Sequence, residues 1–156
     1  MEKLIEAGVT ALYLVEHGLS LDKWLAAGYT LLHLATLKAT YREWRMLGLR
    51  HRHLVSGSLN EKDASEKVLS LLLALHLTAD DFGPLGIRLD DLAGATINEL
   101  HRLKVVKDTL QRMGISIHFI PNQGFTFNHS PTVYSSKTLL PGFTGITFHQ
   151  FCTELN

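Results

Sequence analysis

Cysteine is almost absent: Cys152 is the only one in 156 residues, which excludes an internal disulfide and a cysteine-rich zinc site. Net charge is absent too. Fifteen Lys and Arg balance fifteen Asp and Glu, so the chain lacks an overall basic coat for nucleic acid, although a local patch remains open. Long apolar runs are also missing. The longest, Val68 to Leu77, contains Ser70 and His76 and is too short to span a bilayer. At the N-terminus Glu2 and Glu6 stand where a secretory signal would be basic and then apolar. These absences predict an intracellular protein of cytoplasm, nucleus or nucleoid, not secreted and without a membrane partner. With 46% apolar residues the chain can bury a core rather than stay disordered.

Catalytic constellations are likewise lacking. His51 and His53 are two apart, which on a helix points their rings in divergent directions. His101, His118, His129 and His149 are scattered and have no carboxylates at ligand spacing. Cys152 follows His149 at helical spacing but has no third group. The glycines are spaced as helix stops, not as a phosphate-cradling loop. The expectation is a protein that is not an enzyme and holds neither cofactor nor metal.

What is present is a ten-residue repeat. Glycine recurs at Gly8, Gly18, Gly28 and Gly48, with Lys38 in the remaining slot. Two positions on come Thr10, Ser20, Thr30, Thr40 and then Arg50. Between slot and cap sits Val9, Leu19, Tyr29, Ala39 or Leu49, and six positions after the slot comes Leu14, Trp24, Leu34, Trp44 or Leu54. A glycine in the left-handed conformation stops a helix, and a Ser or Thr two residues later caps the next one. The flanking apolar residues then form a hydrophobic staple, and Thr40 with Glu43 has capping-box spacing. Each unit reads as a helix of about two turns and a sharp corner. Helices so short are unstable alone, so residues 1–56 must stack as a helical-repeat segment, suited to partner contact or self-association. The pattern by itself fits a plain helical bundle equally well.

Within the repeats, Lys38, Arg42, Arg45, Arg50 and Arg52 face only Glu43 between residues 38 and 53, an excess of five minus one, or four, positive charges. Tyr41, Trp44, His51 and His53 lie among them. Arg42, Trp44, Arg45, Arg50 and Arg52 therefore form a possible basic-aromatic patch for phosphate contact and ring stacking. A solvated face of arginines over a buried Trp44 is the competing reading.

Residues 57–65 read as a polar linker and 64–130 as a second domain, with a loop-rich tail over 131–156. Ala64 to Leu77 carries a helix pattern apolar on most sides. Thr78 to Gly94, broken by Gly83, Pro84 and Gly86, admits only short pieces, one near Arg88 to Ala93. Thr96 and Glu99 form a capping box, and Ile97, Leu100, Leu103, Val106, Leu110 and Met113 continue at helical spacing until Gly114. Ile115 to Ile120 switches to alternation, Pro121 to Gly124 is turn chemistry, and Phe125 to Phe127 resumes a strand. In the tail, Thr147 and Gln150 have capping-box spacing for a last short helix.

The stretch from Val105 to Phe127, with its apolar-Gly helix end at Met113-Gly114, alternating strand and Pro121-Asn122-Gln123-Gly124-Phe125 turn, resembles the recognition helix and wing of winged helix-turn-helix repressors of the biotin-repressor type. Leu92 to Thr96 is similar to that family's corner, and the likeness spans about residues 64–128. Together with the repeats it implies a mainly α fold, a short-helix repeat bundle followed by a winged helix-turn-helix with a small β-hairpin. It also implies a double-stranded DNA partner, with the helix from Thr96 to Arg112 in the major groove. Asn98, His101 and Arg102 would then reach base edges, Lys104, Lys107 and Arg112 would sit near phosphates, and Thr96, Asn122 and Gln123 complete the DNA-binding set. The reading is a DNA-binding regulator whose N-terminal repeats contact a protein partner or a second copy. The alternative is an interaction adaptor, virus- or phage-encoded in type, that binds no DNA.

Overall fold

The computed structural model of the chain describes residues 6–56, 61–128, 130 and 132–156. It is mainly helical, with one small antiparallel hairpin among the described residues. The N-terminal repeats fold as their spacing predicts, into α1 (Ala11–Glu16), α2 (Leu21–Ala26), α3 (Leu31–Ala35), α4 (Tyr41–Met46) and α5 (His51–Val55). Gly8, Gly18, Gly28 and Gly48 have φ of 73°, 69°, 86° and 90°, and Lys38 adopts φ 48° in the slot without glycine. The side-chain oxygens of Thr10, Ser20, Thr30 and Thr40 each accept the backbone N–H three residues on. Leu14, Trp24, Leu34, Trp44 and Leu54 are all buried. Glu43 returns the bond to Thr40, and His33 and His53 do the same with Nδ1, accepting the N–H of Thr30 and Arg50.

The repeats coil with three helices to a turn, since each touches the third one along. Helix α1 meets α4, and α3 meets α6 (Glu61–Ala74). Asp22 of α2 bonds Arg52 and His53 of α5. The first N–H of α2, on Leu21, donates to the carbonyl of Leu47 at the end of α4 at 2.7 Å, so the α1–α2 corner sits on the α4–α5 corner.

The same plan continues beyond the repeats visible in the sequence. After α6 come α7 (Ala79–Leu85), a 3-10 turn (Leu89–Leu92), α8 (Ile97–Arg102) and α9 (Lys107–Arg112). His76, Gly86, Gly94 and Lys104 take positive φ before these units. Ala79, the first residue of α7, donates its N–H to the carbonyl of Leu103 at the end of α8, 2.9 Å away. That is the Leu21–Leu47 bond repeated one level up, again across three units. Lys107 then donates to Leu155, adding a third level. His51 of α5 reaches Asp91 of the 3-10 turn at 2.9 Å, and the buried apolar side chains from Ala11 to Leu155 make one cluster.

Several expectations change. The single helix from Thr96 to Arg112 is two helices, broken where Lys104 enters the left-handed region at φ 56°. A helix begins at Glu61, inside the expected linker, while 57–60 lie outside the described residues. The long helix ends at Ala74 rather than Leu77, because His76, at φ 55°, turns the chain.

The hairpin pairs β1 (Ile117–Ile120) with β2 (Gly124–Phe127), Phe119 opposite Phe125. Phe125 also bridges Tyr134 of the tail. A Cβ on Gly124 would collide with the Tyr134 carbonyl, so glycine is required where the tail crosses β2. The tail folds back, burying Leu140, Phe143 and Ile146, and closes with α10 (Phe148–Thr153), which carries the expected Thr147–Gln150 box.

Candidate binding surfaces

The basic segment is assembled by α4 and α5. Arg42 and Arg45 lie exposed on α4, and Arg50 is exposed at the start of α5. Arg52 is exposed but occupied: its Nη2 lies 3.0 and 3.2 Å from the two carboxylate oxygens of Asp22. The hydrogen bond from His53, helped by the Arg52 charge, holds the Asp22 carboxyl below its ordinary range. Trp44 is not a stacking platform. It is 0% exposed, and its indole N–H donates to the Leu75 carbonyl at 3.3 Å. Repeat geometry dictates this, because Trp44 fills the inward slot that Leu14, Trp24, Leu34 and Leu54 fill in the other units. His53 is buried as well, and His51 is held by Asp91. What remains is a cationic surface beside the half-buried Tyr41 and His51, without the Trp44 platform.

The second set is split by the break between α8 and α9. Asn98, His101 and Arg102 share α8 and are exposed, with the His101 ring 3.0 Å from the Glu154 carbonyl. The Thr96 hydroxyl is engaged with Glu99 in the capping box. Lys104 forms the corner, Lys107 opens α9, and Arg112 is ion-paired to Asp108 at 3.2 Å. Asn122, at φ 63°, and Gln123 are exposed at the hairpin tip. The expected recognition face is therefore carried by two helices of six residues each, and its three base-reading candidates share the first of them.

An open groove of about 890 Å³ is lined by Glu66, Leu69, Asp90, Asp91 and Glu99, among others, with no Lys or Arg. Two of its carboxylates serve the fold. Asp91 accepts from the Arg88 N–H as well as facing His51, and Glu99 accepts from Thr96. Among the described residues no three His, Cys, Asp or Glu are grouped to hold a metal ion, and no helix is long and apolar enough to cross a membrane.

Sequence reasoning did not single out the apolar side chains that lie exposed on the N-terminal coil. Leu12, Tyr13, Tyr29, Leu32 and Met46 are 43–56% exposed. The sequence held a signal for two of them. The second helical position of the five units reads Leu12, Asp22, Leu32, Arg42 and Arg52, so two leucines occupy a slot that charged residues fill elsewhere. Comparison with protein-family models, curated proteins and solved structures finds no match to this chain.

Proposed function

We propose that this protein is a non-enzymatic interaction protein whose N-terminal coil docks a protein partner. The observation that carries the reading is the exposure of Leu12, Tyr13, Tyr29, Leu32 and Met46 on repeats whose inward slots are already filled. Contiguous apolar surface left in solvent marks contact sites, and α1, which carries Leu12 and Tyr13, packs beside α4, which carries Met46. The three-unit coil sets Leu12 in the same slot as Arg42 one turn on, and Lys23 and Arg45 are exposed on α2 and α4. The partner this suits is a segment with apolar anchors and acidic flanks. Affinity capture with the wild-type chain and a Leu12→Ser/Leu32→Ser variant tests it. A partner retained by the first and lost by the second, at equal helicity, is the expected result; capture of the same proteins by both removes the reading.

A second reading, duplex-DNA binding by a winged helix, is favoured by the order α9, β1, β2 and by the exposure of Asn98 and Arg102 side by side on α8. It requires affinity that falls steeply with salt and weakens on replacing Arg102 and Lys107 with Ala. Fluorescence anisotropy on duplex DNA at low salt separates the readings: absence of binding eliminates this one.

A further inference from the structure

Among the described residues no strand pairs with the outer edge of β1. Phe125 exchanges both backbone hydrogen bonds with Tyr134, its N–H donating at 3.2 Å and its carbonyl accepting at 2.8 Å. It therefore has none to give Phe119, the residue opposite it in β1. The Phe127 carbonyl likewise turns away, accepting from Ser130. In an antiparallel ladder the backbone groups of alternate residues point to opposite sides. Bonding to β2 thus falls to Ser116, His118 and Ile120, and the N–H and C=O groups of Ile117 and Phe119 point outward. No backbone hydrogen bond joins them to another described residue. The Phe119 side chain is 67% exposed, the most of any large apolar side chain among those described. It lies on the same face as Phe125 and Phe127, both buried, so the apolar face of the sheet runs past the core and ends in solvent.

Natural edge strands are protected by charge, proline or cover. Here residues 113–136 contain no Lys, Arg, Asp or Glu. An uncharged apolar edge selects against a charged partner strand and sets up no repulsion against itself. We infer that β1 pairs with β1 of a second copy of this chain, antiparallel and about a two-fold axis at His118. That register places Phe119 opposite Ile117 of the second copy, and the outward groups of both then exchange N–H···O=C bonds. Phe119 of each copy lies against Ile117 of the other and extends the apolar face across the junction. His118 meets its own counterpart at the axis, a pair that exchanges no backbone hydrogen bonds, with Cα atoms about 4.5 Å apart. The contact is isologous, so it closes at a dimer.

The test uses the full chain in sedimentation velocity up to about 1 mM, the range in which small interfaces are populated. The wild type and Phe119→Leu are expected to dimerise. Phe119→Lys is expected to sediment as a monomer with unchanged far-ultraviolet dichroism, since the Phe119 side chain is two-thirds exposed and lies outside the buried cluster. The register has its own readout. His118→Cys in a Cys152→Ser background is expected to form a disulfide dimer on mild oxidation, because about 4.5 Å lies within the span of about 4.4–6.8 Å that a disulfide bridges. Ile120→Cys, which faces Ser116 of the second copy, is expected to cross-link far less. A wild type monomeric throughout overturns the inference, as does a dimer indifferent to Phe119→Lys or equal cross-linking at 118 and 120. Phe119-dependent binding to uncharged lipid vesicles without self-association overturns it in favour of a membrane contact.

Discussion

Asp22 and His53, 31 residues apart, are joined by a 3.0 Å hydrogen bond that ties one turn of the coil to the next. The backbone N–H of Arg50 donates to Nδ1 of the same ring, so a neutral His53 carries its proton on Nε2 and donates it to the Asp22 carboxylate. One buried imidazole thus serves as a capping-box acceptor within its own unit and as a donor between turns. His53→Ala removes both bonds and a buried side chain. The expected loss is about 2 kcal/mol, read as a lower urea midpoint. Asp22→Asn should shift the midpoint in the same direction, because an amide meets Nε2–H less strongly than a carboxylate does. An unchanged midpoint in both variants would show that the turns are held together without this link.

Acid should loosen the same region. The N–H and hydroxyl of Thr40 both donate to Glu43, at 2.7 Å each, and keep its carboxyl below the ordinary value of 4.5. Asp22 is likewise kept below 3.8. In each case the unfolded chain binds protons at higher pH than the folded one. The stabilisation is therefore complete above the unfolded value and disappears as pH falls through the lower folded value. Melting temperature is expected to fall on acidification below about pH 4.5, and less steeply for Glu43→Gln, which can still accept from Thr40 but does not titrate. Equal slopes would remove Glu43 from the acid response.

The first five units were legible because four of their five left-handed slots hold glycine and four of their five caps are Ser or Thr. Beyond Ser56 the same grammar was hidden. Two of its left-handed slots pass to His76 and Lys104, residues that give no composition signal. One unit is also two residues short, with Gly94 only eight after Gly86, which is why the corner bond spans 26 residues at Leu21–Leu47 and 24 at Ala79–Leu103. Val106 and Leu103, helical by spacing, belong to the corner instead, and a helix was expected to run through Lys104. The hairpin and the Thr147 box were local signals and were readable. The open edge of β1 was not, since it depends on where the distant Tyr134 returns. The Trp44 and His53 contacts needed the three-unit coil, which no pair of neighbouring repeats reveals.

Lys38 provides a direct test of the grammar. A non-glycine residue in the left-handed region costs about 1–2 kcal/mol, offset by the greater chain entropy that glycine loses on folding, about 0.5–1 kcal/mol. Lys38→Gly and Lys104→Gly should each stabilise the chain by up to about 1 kcal/mol, whereas Gly48→Ala, at φ 90°, should destabilise it. Denaturant titration of the three variants gives the signs. Destabilisation by both glycine substitutions would mean that the lysines do more than turn the chain.

Trp44 separates the packing role of the basic segment from its surface role. The indole is fully buried and donates to Leu75 at the end of α6, so it clamps α4 to the corner that starts the second half of the molecule. Trp44→Ala should cost about 3–5 kcal/mol, the range for an emptied core site. Trp44→Phe keeps most of the volume but leaves the Leu75 carbonyl without its donor, at about 1–3 kcal/mol. Arg45→Ala, one residue away but on the exposed face, should leave stability unchanged within about 0.5 kcal/mol. If a polyanion binds the arginines, quenching by acrylamide of Trp44 fluorescence, measured in a Trp24→Phe background, should not change, because the ring has no exposed face to cover. Protection of Trp44 on binding would require α4 to rotate out of the core, and with it the coil geometry would fail.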